Sequence, residues 1–279
     1  MNLAARLKEP RPLIMGILNV TPDSFSDGGS FAEPQPALSH ALEMVEHGCD
    51  IVDVGGESTR PGSWRIGAAE QIDRTCGVIA SLRRRIPPAI GISIDTTLPE
   101  VAERALDVGA DMINDVQAGS ASGMLELAAR RRVPIVLMHM QGTPETMQVN
   151  PTYKDVVAEV EAFLIERGAR AEYIGVAADH IIIDPGIGFG KTREHNLALL
   201  QALPRFARCG YPVLLGTSRK RFMSSICNET EPRELLGATC ATTALGVAAG
   251  VRIFRVHDVK ANRQAADVAW AVGGSEPSS

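Results

Sequence analysis

The amino-acid sequence predicts a (β/α)8 TIM barrel, an α/β fold in which eight parallel strands form a closed sheet surrounded by helices. Eight short runs of apolar, often β-branched residues show no polar alternation, which is typical of strands buried on both faces. Helical patterns alternate with these runs, and right-handed βαβ connections favour closure of the sheet. The segments 48–53 and 109–114 also resemble each other, which indicates a repeated βα unit.

One domain is expected over residues 1–279, with its core from about residue 13 to residue 272. No segment rich in Ser, Gly or Pro and no block of like charge divides the chain, and α/β barrels of this size occur as one unit. A doubly wound open sheet is the alternative fold, because the sequence does not show whether the last strand pairs with the first.

The predicted strands follow one another in chain order, and most of them end at a polar residue. The clearest strand is 181–183, where three isoleucines precede Asp184 and a Pro- and Gly-rich segment then turns the chain. Asp184 therefore stands at the carboxyl end of a buried strand, where parallel α/β folds bind ligands. The full set of predicted strands is 13–18, 51–54, 89–94, 112–113, 135–138, 181–183, 213–215 and 253–257.

Helices are predicted between the strands from apolar residues at helical spacing. Gly48, Gly109 and Gly250 are each expected just past a helix end. Two long loops, 21–30 after the first strand and 58–62 after the second, are candidate lids over a site. The predicted helices include 37–45, 101–108, a long helix that contains 156–164, then 197–206, 235–249 and a last helix to about residue 272.

Composition excludes several functional classes. A net charge of −5 and a pI near 5.7 argue against a general nucleic-acid-binding or membrane-binding surface. Residues 1–12 lack the apolar core of a signal peptide, and no apolar run approaches the roughly 18 residues of a membrane span. The five cysteines show neither CxxC spacing nor an even count, so no disulfide framework or zinc site is expected and a cytoplasmic location fits best.

Polar side chains stand at or near the carboxyl ends of most predicted strands, and in a barrel these ends meet at one mouth. A single such residue is more often a structural cap, whereas their convergence requires a polar ligand. Carboxylates and carboxamides suit a ligand with ring N–H donors and ring-nitrogen acceptors, and Lys220, Arg255 and His257 suit an anion. The complete set is Asn19, Asp95, Asn114, His139, Asp184, Lys220, Arg255 and His257.

Five motifs, taken together and in this order, resemble the dihydropteroate synthase family. They are NVTPDSFSDGG at 19–29, GGESTRPG at 55–62, DPGIGFGK at 184–191, SRK at 218–220 and RVHD at 255–258. The resemblance implies a transferase of folate biosynthesis that joins 4-aminobenzoate to the methylene carbon of 6-hydroxymethyl-7,8-dihydropterin diphosphate. The products would be diphosphate and 7,8-dihydropteroate, and the enzyme would be a homodimer.

The resemblance also implies roles for individual residues. Those implied to hydrogen-bond the pterin are Asp95, Asn114, Asp184 and Lys220, with Met138 and Phe189 as apolar walls. Those implied for the diphosphate are Arg255 and His257, with Thr59 as a loop contact to the same substrate. Those implied for 4-aminobenzoate are Phe25, Pro61 and Ser218. The implied catalytic set is Asp95, Asp184, Lys220, Arg255 and His257.

Asn19 is the magnesium position of this family, so Mg²⁺ is the implied cofactor, with Asp27 as a second candidate ligand when the lid closes. The implied mechanism is a dissociative substitution in which electrostatics carry most of the barrier reduction. Two alternatives stay open, namely a pterin-binding module of a corrinoid methyltransferase and an inactive pterin-binding paralogue. The Phe25 and Asp27 lid motif and the SRK triplet favour the synthase.

Overall fold

The computed structural model describes residues 3–21, 35–58 and 65–273, and within them eight parallel strands form the predicted barrel. The strands are β1 Leu13–Asn19, β2 Ile51–Gly55, β3 Gly91–Asp95, β4 Met112–Asp115, β5 Ile135–Met138, β6 Ile181–Asp184, β7 Leu214–Leu215 and β8 Ile253–Val256. Their order in the sheet is β6-β5-β4-β3-β2-β1-β8-β7. A parallel bridge between Ile183 and Val213 links β6 to β7, so the sheet is a nearly closed barrel and the open-sheet alternative is wrong.

Helices alternate with the strands in the described part of the chain. They are α1 Leu3–Lys8, α2 Gln35–Glu46, α3 Ala68–Arg83, α4 Pro99–Asp107, α5 Met124–Arg131, α6 Val156–Ile174, α7 Arg193–Gln201, α8 Leu203–Phe206, α9 Arg221–Cys227, α10 Leu236–Ala248 and α11 Val259–Val272. Gly48, Gly109 and Gly250 adopt positive φ, as predicted for residues past a helix end. Within these ranges, no helix combines the length and the apolar character that a membrane crossing requires.

The predicted helix 197–206 is wrong as a single unit, because it divides into α7 and α8 at Ala202. Pro204 explains the division, since proline has no N–H for the helix interior and its ring clashes with the preceding turn. It stands instead in the first turn of α8, where no N–H partner is needed. The short helices α1, α5 and α9 were not individually predicted from the sequence.

Alternate side chains of a strand face opposite sides of the sheet, and here both sides are largely apolar. Outward side chains such as Val52, Ile92 and Ile113 are fully buried in the cluster between sheet and helices. Burial on both sides explains why the strand runs show no polar alternation in the sequence. Inward side chains near the amino ends form a second apolar cluster, which α1 completes: Leu3, Leu7, Leu13, Met15, Ile51, Met112, Val136, Ile182, Leu214 and Ile253.

On four strands, the side chains that face the barrel interior change from apolar to polar toward the carboxyl end. Residues two apart on a strand share a face, so each inward apolar residue is followed on the same side by a polar one. These pairs are Ile51 and Asp53, Met112 and Asn114, Ile182 and Asp184, and Ile253 and Arg255. A polar layer at the carboxyl end therefore lies above an apolar floor.

The amino end of the barrel is held by ion pairs around Asp50, which directly precedes β2. Asp50 Oδ2 accepts hydrogen bonds from the Ile14 backbone N–H at 2.7 Å and from Arg263 Nη1 at 3.2 Å. Asp50 Oδ1 pairs with Arg6 of α1. Both arginines also donate to backbone carbonyls, so this network joins α1, β1 and α11 beneath the apolar floor.

Candidate functional site

The candidate site lies at the carboxyl ends of the strands, where the backbone register aligns four residues of β1 to β4. Asn19 is paired with Gly55, Gly55 with Asp95, and Asp95 with Asn114. Gly55 has no side chain, and a Cβ atom built there would lie 3.8 Å from Asn19 Oδ1 and 3.7 Å from Asp95 Oδ2. Two side-chain oxygens therefore flank one gap at the mouth.

An arginine of β8 binds two carboxylates in this layer. Arg255 Nε donates to Asp53 Oδ2 at 2.6 Å, and Arg255 Nη2 donates to Asp95 Oδ2 at 2.7 Å. Asn114 Nδ2 donates to the same Oδ2 atom of Asp53 at 3.0 Å. Arg255, expected from the sequence to bind an anion, is thus already paired with two carboxylates.

Asp53 is absent from the residues expected from the sequence, although the sequence carries a signal for it. It is the charged residue within the otherwise apolar run 51–54, and it stands two positions after Ile51, on the same strand face. Its side chain is fully buried, and its Oδ1 atom has no hydrogen-bond partner among the described residues. A buried carboxylate of this kind is a stronger signal than a polar residue at a strand end.

Two carboxyl groups at the mouth, those of Asp95 and Asp184, have raised pKa values. Burial raises the pKa of the Asp95 carboxyl to about 7, although the Arg255 guanidinium opposes the shift. Burial also raises the pKa of Asp184 to about 6, against the Gly186 N–H bond and the positive charge of Lys220. Perturbed carboxyl groups of this kind are concentrated at functional sites.

Glycines shape the loop that follows β6. Gly186 and Gly190 have φ values of +67° and +66°, and a Cβ atom at either would overlap a backbone carbonyl oxygen of the segment after β5. The Gly186 N–H donates to Asp184 Oδ1 at 2.7 Å and so holds the carboxylate at the mouth. Further along, the Phe189 ring lies 3.9 Å from Lys220 Nζ, a cation–π contact between the β6 and β7 loops.

Lys191 ends this loop and is only 3% exposed. Its Nζ lies 3.0 Å from His139 Nδ1 and donates to the Phe189 carbonyl at 2.9 Å. Burial lowers the pKa of Lys191 to about 7, and burial together with the Lys191 charge lowers the pKa of His139 to about 3. The His139 ring also packs edge-on against Phe163. With its lowered pKa, His139 is a neutral residue, and its contact with Lys191 joins the β5 and β6 loops.

Ser218 and His257 join the ends of β7 and β8. The Ser218 hydroxyl accepts the His257 backbone N–H at 3.1 Å and lies 3.0 Å from His257 Nδ1. The next residue, Arg219, has a φ of +57° and binds both carboxylate oxygens of Asp258. Ser218 therefore orients the His257 ring. The sequence predicts Ser218 for 4-aminobenzoate and His257 for the diphosphate, so residues expected for two substrates are in contact.

The expected site residues within the described ranges all lie at the carboxyl ends of strands or in the loops after them. These residues are Asn19, Asp95, Asn114, Met138, Asp184, Phe189, Ser218, Lys220, Arg255 and His257. The remaining expected residues, Phe25, Asp27, Thr59 and Pro61, lie outside the described residues. Buried carboxylates beside fixed cations suit a ligand that combines N–H donors with an anionic group.

Comparison with known proteins connects this mouth to one family. A family described as pterin binding enzyme matches residues 15–257. The dihydropteroate synthase of Synechocystis is 45% identical over 263 residues, covering 94% of this chain and 90% of that protein.

Solved structures of relatives share the barrel. The Xanthomonas albilineans dihydropteroate synthase with 4-aminobenzoic acid is 44% identical with a TM-score of 0.90, covering 97% of this chain and 95% of that chain. The same enzyme in complex with 7,8-dihydropteroate is aligned at 41% identity with a TM-score of 0.86, covering 97% and 96% respectively.

Proposed function

The chain belongs to the dihydropteroate synthase family of pterin-binding enzymes, and we propose from this membership how its mouth performs the reaction. It is a transferase that condenses 6-hydroxymethyl-7,8-dihydropterin diphosphate with 4-aminobenzoate. The observation that carries the proposal is the buried group of Asp95, Asn114 and Asp184 at the polar end of the barrel, beside Arg255. These acceptors suit a heterocycle rich in N–H donors.

The pterin binds to this group by its polar edge. Asp184 keeps one carboxylate oxygen on the Gly186 N–H and offers the other to the ligand, because a carboxylate has two acceptor atoms. Lys220 hydrogen-bonds the pterin from the other side. Met138, which lies opposite Asp184 in the register of β5 and β6, and Phe189 provide apolar walls.

The diphosphate lies toward Asn19 and the end of β8. Arg255 has N–H groups beyond those bonded to Asp53 and Asp95, because a guanidinium carries five. His257 is the second cationic or donor group for this anion. Thr59 is proposed as a loop contact to the same substrate.

The gap beside Gly55 supports Mg²⁺ as the cofactor. Asn19 Oδ1 and Asp95 Oδ2 flank this gap, and Mg²⁺ prefers oxygen ligands. Asn19 is the proposed protein ligand, and Asp27 is the second candidate. When bound, the ion would supply positive charge next to the diphosphate oxygens.

The side chains then favour a dissociative substitution. The bond between the pterin methylene carbon and the diphosphate oxygen breaks, and its electron pair leaves with the diphosphate. Asp95 and Asp184 stabilise the positive charge on the methylene carbon, while Arg255 and His257 stabilise the leaving group. The amine of 4-aminobenzoate attacks the cationic carbon through its lone pair, and the new C–N bond is completed when the amine releases a proton to water. Because the carbon is already an electrophile, the amine requires only positioning.

Ser218 is proposed to hydrogen-bond the carboxylate of 4-aminobenzoate, with Phe25 and Pro61 completing this pocket. The Ser218 hydroxyl is bonded to His257, so the two substrates would meet where β7 and β8 end.

An assay for 7,8-dihydropteroate with both substrates and Mg²⁺ tests the function, and a reaction without 4-aminobenzoate is its control. Product that requires all three components supports the synthase. Binding of methyltetrahydrofolate without product would indicate the methyltransferase module, and pterin binding without any turnover would indicate the inactive paralogue.

A homodimer is proposed from the surface of α10 and α11. An exposed stripe of α10 at helical spacing carries only apolar residues and glycine, namely Gly237, Ala241, Leu245 and Ala248. Leu245 is 68% exposed, and on α11 Val268 and Val272 are also exposed. Apolar surface of this kind favours association, and light scattering on the purified chain measures the oligomeric state.

The cytoplasm is the proposed compartment. All five cysteines are free thiols, and Cys49 is fully enclosed in the core. Free thiols are typical of proteins in a reducing environment. Fractionation of cells that express the tagged chain tests the location.

A further inference from the structure

We propose that Asp53 is a positioning residue that determines which atoms Asn114 presents to the pterin. The proposal rests on the proposed function, because the pterin is the ligand that Asn114 would contact. Its basis is the bond from Asn114 Nδ2 to Asp53 Oδ2, an atom that also accepts from Arg255 Nε.

The chemistry of a carboxylate makes this orientation one-directional. An ionised carboxylate accepts hydrogen bonds and donates none, whereas a carboxamide has an acceptor end and a donor end. Asn114 must therefore direct its NH2 group to Asp53, and its Oδ1 is left as the acceptor for the ligand. A ring N–H group would meet an acceptor and not a clashing donor.

Folding alone does not account for Asp53. The residue is fully buried, yet its Oδ1 atom has no hydrogen-bond partner in the described part of the chain, and an unpaired buried acceptor opposes folding. Ser93, opposite Asp53 in the register of β2 and β3, is also buried and unpartnered within the same ranges. An unpaired hydroxyl is neutral and costs less to bury than an unpaired carboxylate oxygen, so of these two residues only Asp53 requires a further role.

The Arg255 bond extends the effect of Asp53 to a second site residue. Arg255 is held at Nε by Asp53 and at Nη2 by Asp95, so the plane of the guanidinium is fixed by two carboxylates. Asp53 thus orients one side chain proposed for the pterin and one proposed for the diphosphate, without being placed on either substrate.

The test is a double-mutant cycle with pterin affinity as its measurement. Calorimetry with 6-hydroxymethylpterin, which lacks the diphosphate, isolates the pterin contacts from catalysis. Asp53→Ala should weaken binding about tenfold to a hundredfold, because Asn114 can then rotate its donor end toward the ligand. Asp53→Asn keeps one acceptor oxygen and should lose less. Ser93→Ala, a control in the same layer, should stay within about twofold of wild type.

Asn114→Asp supplies the decisive arm of the cycle. Alone, it places a second carboxylate against Asp53 and should weaken pterin binding. Combined with Asp53→Ala, it offers an acceptor in either orientation and should restore at least about tenfold of the lost affinity. A merely structural Asp53 would not produce this reversal.

Several outcomes would overturn the proposal. Wild-type affinity in Asp53→Ala, or no recovery in the double variant, removes the positioning role. If Asp53→Ala does not fold, Asp53→Asn takes its place. Weaker pterin binding in Asp53→Asn than in Ser93→Ala supports the positioning role, and equal binding in the two variants overturns it. The pterin titration is independent of turnover, so an inactive wild-type enzyme would refute the proposed function while this inference still stood or fell on binding.

Discussion

Asp50 and Asp53 stand three positions apart in the sequence but at opposite ends of the barrel, and their environments differ in one decisive respect. At the amino end, both oxygens of Asp50 are bonded, to Arg6, Arg263 and a backbone N–H. At the carboxyl end, Asp53 uses one oxygen twice, and the other has no partner among the described residues. Both ends pair arginine with aspartate, yet of these two aspartates Asp50 alone has both carboxylate oxygens paired within the described residues.

The difference shows how one fold separates stability from function. The Asp50 network holds α1 and α11 against the barrel without a ligand. At the mouth, Asp95 and Asp184 are buried and their pKa values are raised, so burial of their ionised forms opposes folding but leaves acceptors for a substrate. Changes at the two ends should therefore act on different measurements, and four predictions test that separation.

The largest expected effect is on turnover when the metal is removed. Excess chelator should abolish dihydropteroate formation, because the charge on the leaving diphosphate is no longer offset. The melting temperature and the affinity for a pterin without diphosphate should stay nearly unchanged, since neither requires the metal. Turnover that persists in excess chelator would exclude the proposed role of Asn19.

At the amino end, Asp50→Asn should lower the free energy of unfolding by about 3 kcal/mol, because Arg6 and Arg263 lose their carboxylate partner in a buried setting. Pterin affinity should stay within about twofold. Urea unfolding and calorimetry measure the two quantities. Asp267→Asn removes an exposed partner of Arg263 and is the matched control, with a loss below about 1 kcal/mol. Equal losses in the two variants would contradict a special role for the Asp50 network.

At the mouth, Asp184→Asn should weaken pterin binding by about 1–3 kcal/mol, because an amide turns one of two acceptors into a clashing donor. Its stability should change less than its affinity. Asp115→Asn is the control, because Asp115 is also a buried strand-end carboxylate but bonds the backbone N–H groups of Gln117 and Gly119. Asp115→Asn should lose stability and keep pterin affinity. Unchanged affinity in folded Asp184→Asn would remove Asp184 from the pterin site.

The separation also explains which features were predictable from the sequence. The strands were predictable because burial on both faces produces continuous apolar runs, and Asp95, Asn114 and Asp184 were predictable because they end such runs. Periodicity alone predicted one helix over 197–206, whereas Pro204 divides it into two helices at Ala202. The short α1 was not predictable, because its leucines become core only when they meet the floor of the barrel.

Two buried residues near the mouth, Asp53 and Lys191, could be recognised as parts of networks only in the folded structure. Asp53 looks like part of a strand until its side chain meets Asn114 and Arg255, which are distant in sequence. Lys191 looks like the end of a glycine-rich turn until its burial against His139 is seen. Partners from separate strands cannot be read from local spacing, so networks are less predictable than individual strand ends.

The smallest expected effects are those of pH, and they have opposite signs for folding and for binding. The folded pKa of Asp95 is raised from 3.8 to about 7. Between these two pH values, the native protein holds a proton on Asp95 that the unfolded chain has released. This stability is fully present below pH 3.8 and is lost as pH rises through 7. Pterin binding requires ionised Asp95 and Asp184, so affinity should fall up to about tenfold per pH unit below the Asp95 pKa of about 7, and more steeply below the Asp184 pKa of about 6.

Comparing wild type with Asp95→Asn isolates the folding term. His139 contributes the opposite slope between pH 3 and 6.5, because its folded pKa is lowered, and Lys191 is protonated in both states below pH 6. Both contributions cancel in the difference between the two proteins. The difference should reach a slope of about 1.4 kcal/mol per pH unit between pH 4.5 and pH 6, with wild type gaining stability relative to the variant as pH falls. Parallel curves for the two proteins would mean that Asp95 is ionised throughout this pH range, held in that state by the Arg255 guanidinium.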